Sequence, residues 1–120
     1  MWENGNIMNQ DEIEKLSMTY QKLQGQLQSL AIQREQFNIQ KEELKGAHEE
    51  IEKSDGKIYV TIGGIVAETE KERAMKEIKE REELLTLRIE IVTKQQEEVA
   101  RKEKELRSEI AAMLKEQGKQ

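Results

Sequence analysis

Catalysis needs side chains that attack, titrate or ligate, and here they are few apart from carboxylates. The chain has one histidine, His48, and no cysteine. That leaves no disulfide and no thiolate metal site to expect. His48 falls on a row of regularly spaced seam residues, where a polar side chain is simply tolerated. Gly63-Gly64 lacks the Lys, Ser or Thr flank of a loop that cradles phosphate. The carboxylates recur at helical spacing and read as solvating charge. No catalytic, cofactor-binding or metal-binding residues are therefore expected, and the chain does not read as an enzyme. The residues that do suggest chemistry are apolar and gather toward the two termini. Trp2, Ile7, Met8, Ile13, Leu16 and Met18 lie near one end, and Ile110, Met113 and Leu114 near the other. Methionine is flexible and polarizable, so such a set suits a surface that accepts many apolar shapes.

Positioning these residues falls to two helical arms. In the first, 10–54, Leu16, Leu23, Leu30, Phe37, Leu44 and Ile51 recur every seven residues. Ile13, Tyr20, Leu27, Arg34, Lys41 and His48 form a second row three residues ahead of them. Two such rows are the d and a positions of a coiled coil. The second arm, 70–117, repeats the design, with d residues Ile78, Leu85, Val92, Val99, Leu106 and Met113. Its a residues are Met75, Glu82, Ile89, Gln96, Glu103 and Ile110. Folding the chain back at Gly63 sets Ile51 against Met75, Phe37 against Ile89 and Ile13 against Met113. Each polar a residue then meets an apolar d residue: Arg34 meets Val92, Lys41 meets Leu85, and His48 meets Ile78. Glu82 meets Leu44, and Glu103 meets Leu23. The expected fold is mainly α, a long antiparallel coiled-coil hairpin that brings both termini to one end. Asn9 is expected to cap the first helix. Gly56 is expected to end it in a left-handed conformation. Thr69 and Glu72 are expected to open the second as a capping box.

Between the arms lies KIYVTIGGIVAET, 57–69. Ile58, Val60 and Ile62 alternate with Tyr59 and Thr61, as in a half-covered strand. Gly63 and Gly64 supply the positive backbone angles of a two-residue turn, and Ile65 and Val66 begin the return strand. A lone two-stranded hairpin is marginal in water, and its open edges invite pairing. The hairpin is thus expected to assemble with strands from other chains.

Composition excludes other classes. Charged residues make up 38% of the chain, aromatic residues 3%, and the net charge is −5. Acidic and basic residues are interleaved, so there is no basic face for nucleic acid. No apolar run approaches the roughly 18 residues of a membrane span, and the N-terminus lacks a signal-peptide layout. A cytoplasmic protein with no membrane partner is expected.

The strand–turn–strand IYVTIGGIV between two heptad helices resembles the β-type subunits of prefoldin, and the likeness covers nearly the whole chain as a single domain. KIYVTIGGIVAETEKERA is its most specific part. One departure is Val60, where the family often has Lys after the Tyr. The resemblance implies one hairpin per β-type subunit and two per α-type subunit. It also implies a hexamer of two α-type and four β-type subunits whose hairpins build an intersubunit β-barrel. It further implies an ATP-independent holdase that captures unfolded client proteins at its coiled-coil tips and delivers them to a group II chaperonin. The competing expectation is a structural coiled-coil tether docked through its hairpin. Leu84, Leu87 and Ile91 stand off the seam, as do Ile32 and Ile39. A paired coil has no use for them, so they are expected to meet a neighbouring subunit.

Overall fold

A computed structural model describes residues 2–118, with side chains described from residue 10 onward. Two long helices, α1 (Trp2–Lys53) and α2 (Lys71–Gly118), are joined by strands β1 (Ile58–Ile62) and β2 (Ile65–Thr69). The strands pair antiparallel, from Ile58 with Thr69 to Ile62 with Ile65. Gly63 (φ 54°) and Gly64 (φ 83°) make the two-residue turn. Both angles are left-handed, which suits a turn whose twist matches that of the strands.

The chain divides into two units, Met1–Ile32 with Thr93–Gln120 and Gln33–Val92. Within the second, His48 meets Glu82 and Phe37 lies beneath Arg88. One residue number falls as the other rises, so the helices run antiparallel. Every a and d position of α2 from Met75 to Met113 is buried or half-buried. In α1 the same holds from Ile13 to Ile51, with two exceptions. Arg34 and Lys41 are exposed, their long side chains carrying charge out of the seam. The helix pairs are thus built on the heptad rows, in which apolar side chains leave water on one face of each helix.

Local signals fare less well than the rows. Helix α1 runs through Asn9 and begins at Trp2, so Asn9 is no cap. Among the described residues the positive-φ ones are Gly63 and Gly64, so Gly56 does not take the left-handed conformation. Instead the Ser54 amide bonds the Ile51 carbonyl at 3.1 Å, and the Gly56 amide donates to Ser54 Oγ at 3.3 Å. Lys71 Nζ then donates to the carbonyls of Glu52 (2.9 Å) and Ser54 (3.2 Å). The first residue of α2 thereby caps the last turn of α1, where a cation complements exposed carbonyls. Lys71→Met is expected to cost roughly 0.5–1 kcal/mol, read as a lowered midpoint in thermal unfolding. At the start of α2 the Ala74 amide bonds the Glu70 carbonyl at 3.0 Å. Glu70 therefore holds the cap position, while Thr69 is paired in β2. The expected Thr69–Glu72 box is displaced by strand pairing.

Gly25 lies inside α1 with nothing within 4 Å of the place a Cβ would occupy. Helical glycine costs about 0.5–1 kcal/mol relative to alanine, so Gly25→Ala should raise the unfolding midpoint. A lowered midpoint would mean that this face is not open.

Candidate interaction surfaces

The hairpin has a sheltered base and an open tip. Ile58 is buried, Val60 and Ala67 are half-buried, and Ile51, Ala74 and Ile78 line the groove beneath them. Ala74, at 3% exposed, is the most buried of the core residues, and the heptad rows do not contain it. It sits one position ahead of the a residue Met75, on the flank that the hairpin covers. No period in the sequence signals this, because the hairpin's docking creates it. Farther out, Ile62 (67%), Ile65 (71%) and Val66 (65%) are largely exposed, as is Tyr59. The sheet has two strands, so each has one open edge. Around the turn, Ile62 and Ile65 form the inward-bonding pair, so the amides and carbonyls of Thr61 and Val66 point outward. Apolar side chains and unpaired backbone together make this hairpin able to pair with another strand.

The polar seam residues meet each other as well as the apolar layers. His48 Nδ1 lies 3.2 Å from Glu82 Oε1, and its Nε2 lies 3.9 Å from Glu52. In the unit with Thr93–Gln120, Gln24 Nε2 donates to the Tyr20 hydroxyl at 2.9 Å. That hydroxyl bonds the Glu103 carboxylate, which holds the Tyr20 phenol above its usual range. Arg107 lies 3.9 Å from the same carboxylate. In each case a polar a residue reaches diagonally to a polar a residue of the next layer, beyond the expected apolar partner. Spacing alone could not show this, since the reach depends on rotamer. His48 is thus a seam residue with carboxylate company, and the described residues hold no group of three or more metal-ligating side chains.

The terminal apolar set divides in two. Ile13, Leu16, Ile110 and Met113 are half-buried on the seam, whereas Met18 (71%) and Leu114 (52%) are exposed. The side chains of Trp2, Ile7 and Met8 lie outside the described residues. Nearer the hairpin, Leu84, Leu87 and Ile91 are each about half exposed, as are Ile32 and Ile39. No described helix is long and apolar enough to cross a membrane.

Comparison with known proteins bears on what such surfaces are for. The family model for prefoldin subunits matches residues 14–117. This chain belongs to the prefoldin family. Among curated relatives, the prefoldin β subunit of Thermococcus gammatolerans is 39% identical over 61 residues, 51% of this chain and 52% of that one. The Pyrococcus abyssi β subunit is 36% identical over 61 residues, with the same shares covered. The matched stretch thus spans about half the length of these relatives. The crystal structure of the prefoldin β subunit from Thermococcus strain KS-1 superposes with a TM-score of 0.79 at 29% identity. That match covers 84% of this chain and 90% of the other. The single hairpin and these likenesses place the chain with the β-type prefoldin subunits. Prefoldin subunits are non-enzymatic chaperone components, so the family and the lack of any catalytic grouping in the sequence agree.

Proposed function

We propose that this chain is the β-type subunit of an ATP-independent holdase whose copies join through their hairpins. The assembly is a hexamer of four copies and two α-type subunits, with the hairpins closed into a shared β-barrel. The observation that carries this reading is the hairpin itself: Ile62, Ile65 and Val66 are exposed beside two open strand edges. Barrel closure would cover both. Unfolded clients are held at the helix ends that bear the termini, by Met18, Leu114 and the half-buried residues beside them. Trp2, Ile7 and Met8 extend that set. Several weak apolar contacts on separate subunits sum through high local concentration, and each releases easily. Clients then pass to a group II chaperonin. The holdase works in the cytoplasm, with neither membrane nor nucleic acid as a partner.

Native mass spectrometry of the tagged chain, isolated gently from its source cells, tests the assembly. A mass near six subunits with a two-hairpin chain present is expected. A monomer or plain homodimer would overturn the barrel and favour the tether. Removing residues 1–12 and 110–120 tests capture. Suppression of client aggregation should be lost while the assembled mass, corrected for the truncation, persists; unchanged suppression would sink the tip assignment.

A further inference from the structure

Within the unit Gln33–Val92, one flank of the helix pair carries a groove of about 330 Å³. Leu44 and Leu85 form its floor, Leu84 its outer wall, and Arg81 and Arg88 line it along α2, with Glu43 on the α1 side. Leu87 and Ile91 extend the apolar wall along α2, each about half exposed. In heptad terms the groove lies on the g and c side. Ile39 is an outward f residue of α1 and is half exposed. Glu35 and Glu42 stand one turn before and after it on the b side, away from the groove, and both are exposed. The chain therefore presents an apolar hole flanked by arginines on one side and an apolar knob flanked by carboxylates on another. Ile39 and Leu84 each lie about four turns from the hairpin end of their own helix. Two copies set side by side with their hairpins together would bring knob and hole to the same height.

We propose that the groove receives Ile39 of a second copy of this chain, with Arg81 and Arg88 facing that copy's Glu35 and Glu42. The contact rests on the reading that copies assemble through their hairpins, and it adds a second, helix-borne contact to that assembly. It is heterologous: the knob of one copy enters the groove of the copy beside it, so the two members of a pair use different faces. The apolar insertion removes exposed side chains from water. The charges select the correct flank and register.

Because the chain has no cysteine, Ile39→Cys and Leu84→Cys each introduce a single thiol at a half-exposed position. The two full-length variants, one carrying a mass tag, are mixed with co-isolated α-type subunit, allowed to assemble and gently oxidised, and the same samples are sedimented. The expected product is a disulfide-linked dimer of unlike variants. Arg88→Glu in the groove-bearing variant should cut its yield several-fold, and Glu42→Arg in the knob-bearing variant should restore it. Like-with-like dimers would overturn the proposal in favour of a symmetric contact. Full-mass assemblies with no disulfide would overturn it and leave hairpin assembly standing. Monomers in sedimentation would overturn both.

Discussion

Val66→Pro is expected to dissolve the proposed assembly while leaving both helices and the hairpin in place. The pairing of Ile62 with Ile65 across the Gly63-Gly64 turn fixes which amides bond within the hairpin. The amide of Val66 belongs to the alternate pair and points to the open edge. Proline removes that donor, and it is tolerated at an edge strand. An unmade backbone bond in a strand-to-strand contact costs about 1–3 kcal/mol, up to roughly a hundredfold in affinity. In the proposed barrel the loss is repeated at every copy, so the assembled species should vanish at working concentrations. Ala67→Pro is the contrast. Its amide bonds inward to Val60 by the same alternation, so the hairpin itself should open. Sedimentation velocity together with circular dichroism reads both variants. Persistence of the assembly in Val66→Pro would show that this edge is not where copies meet.

Leu85→Ala is expected to be the most damaging single change to the helix pair. Leu85 is 6% exposed, on the d row. Truncating a buried leucine costs about 2–5 kcal/mol, more where the site cannot collapse. The a residue expected opposite is Lys41, whose exposed side chain cannot swing an apolar group into the void. A fall of about 10 °C in the unfolding midpoint follows for a chain of this size. Met18→Ala, at a 71% exposed position, should shift it by a degree or two at most, since surface changes stay within about 0.5 kcal/mol. Equal effects for the two would mean that the heptad rows do not carry the stability.

What the sequence disclosed is what repeats. Leu85, Val92 and Leu106 are buried because a seven-residue period keeps one stripe of each helix on its partner, and a period can be read without coordinates. The Gly63-Gly64 turn was legible because few residues other than glycine accept two successive positive φ angles. Single local signals were weaker guides. Asn9 could cap a helix, but the chain ahead of it continues as helix. Thr69 could cap α2, but its pairing with Ile58 claims it for the sheet. Gly56 was not needed as a left-handed stop, because Lys71 reaches the terminal carbonyls from the far side of the hairpin. Of the candidate interaction residues, the exposure of Met18 and Leu87 followed from their places off the a and d rows; that of Ile62 and Ile65 did not, since alternation sets them on the face of the buried Ile58. The diagonal pairs His48–Glu82 and Tyr20–Glu103 did not, since register says which layer a side chain occupies and not how far it reaches.

The two-glycine turn also sets an order of events. The hairpin closes a loop of only two residues, on the scale of microseconds. Each seam layer beyond it then closes a short gap left by the layer before, where an unassisted contact between distant layers would carry the entropy of a long loop. Folding is therefore expected to run as a zipper from the turn, with the layers of Ile13 and Ile110 forming last. Fraying retraces the path from the other end. Amides around Ala74 and Leu85 should exchange hydrogen only with global unfolding, and those around Ile13 and Ile110 by local opening. Uniform exchange along both helices would refute the zipper. The chain is expected to be firm beside the hairpin and to yield first at the layers farthest from it.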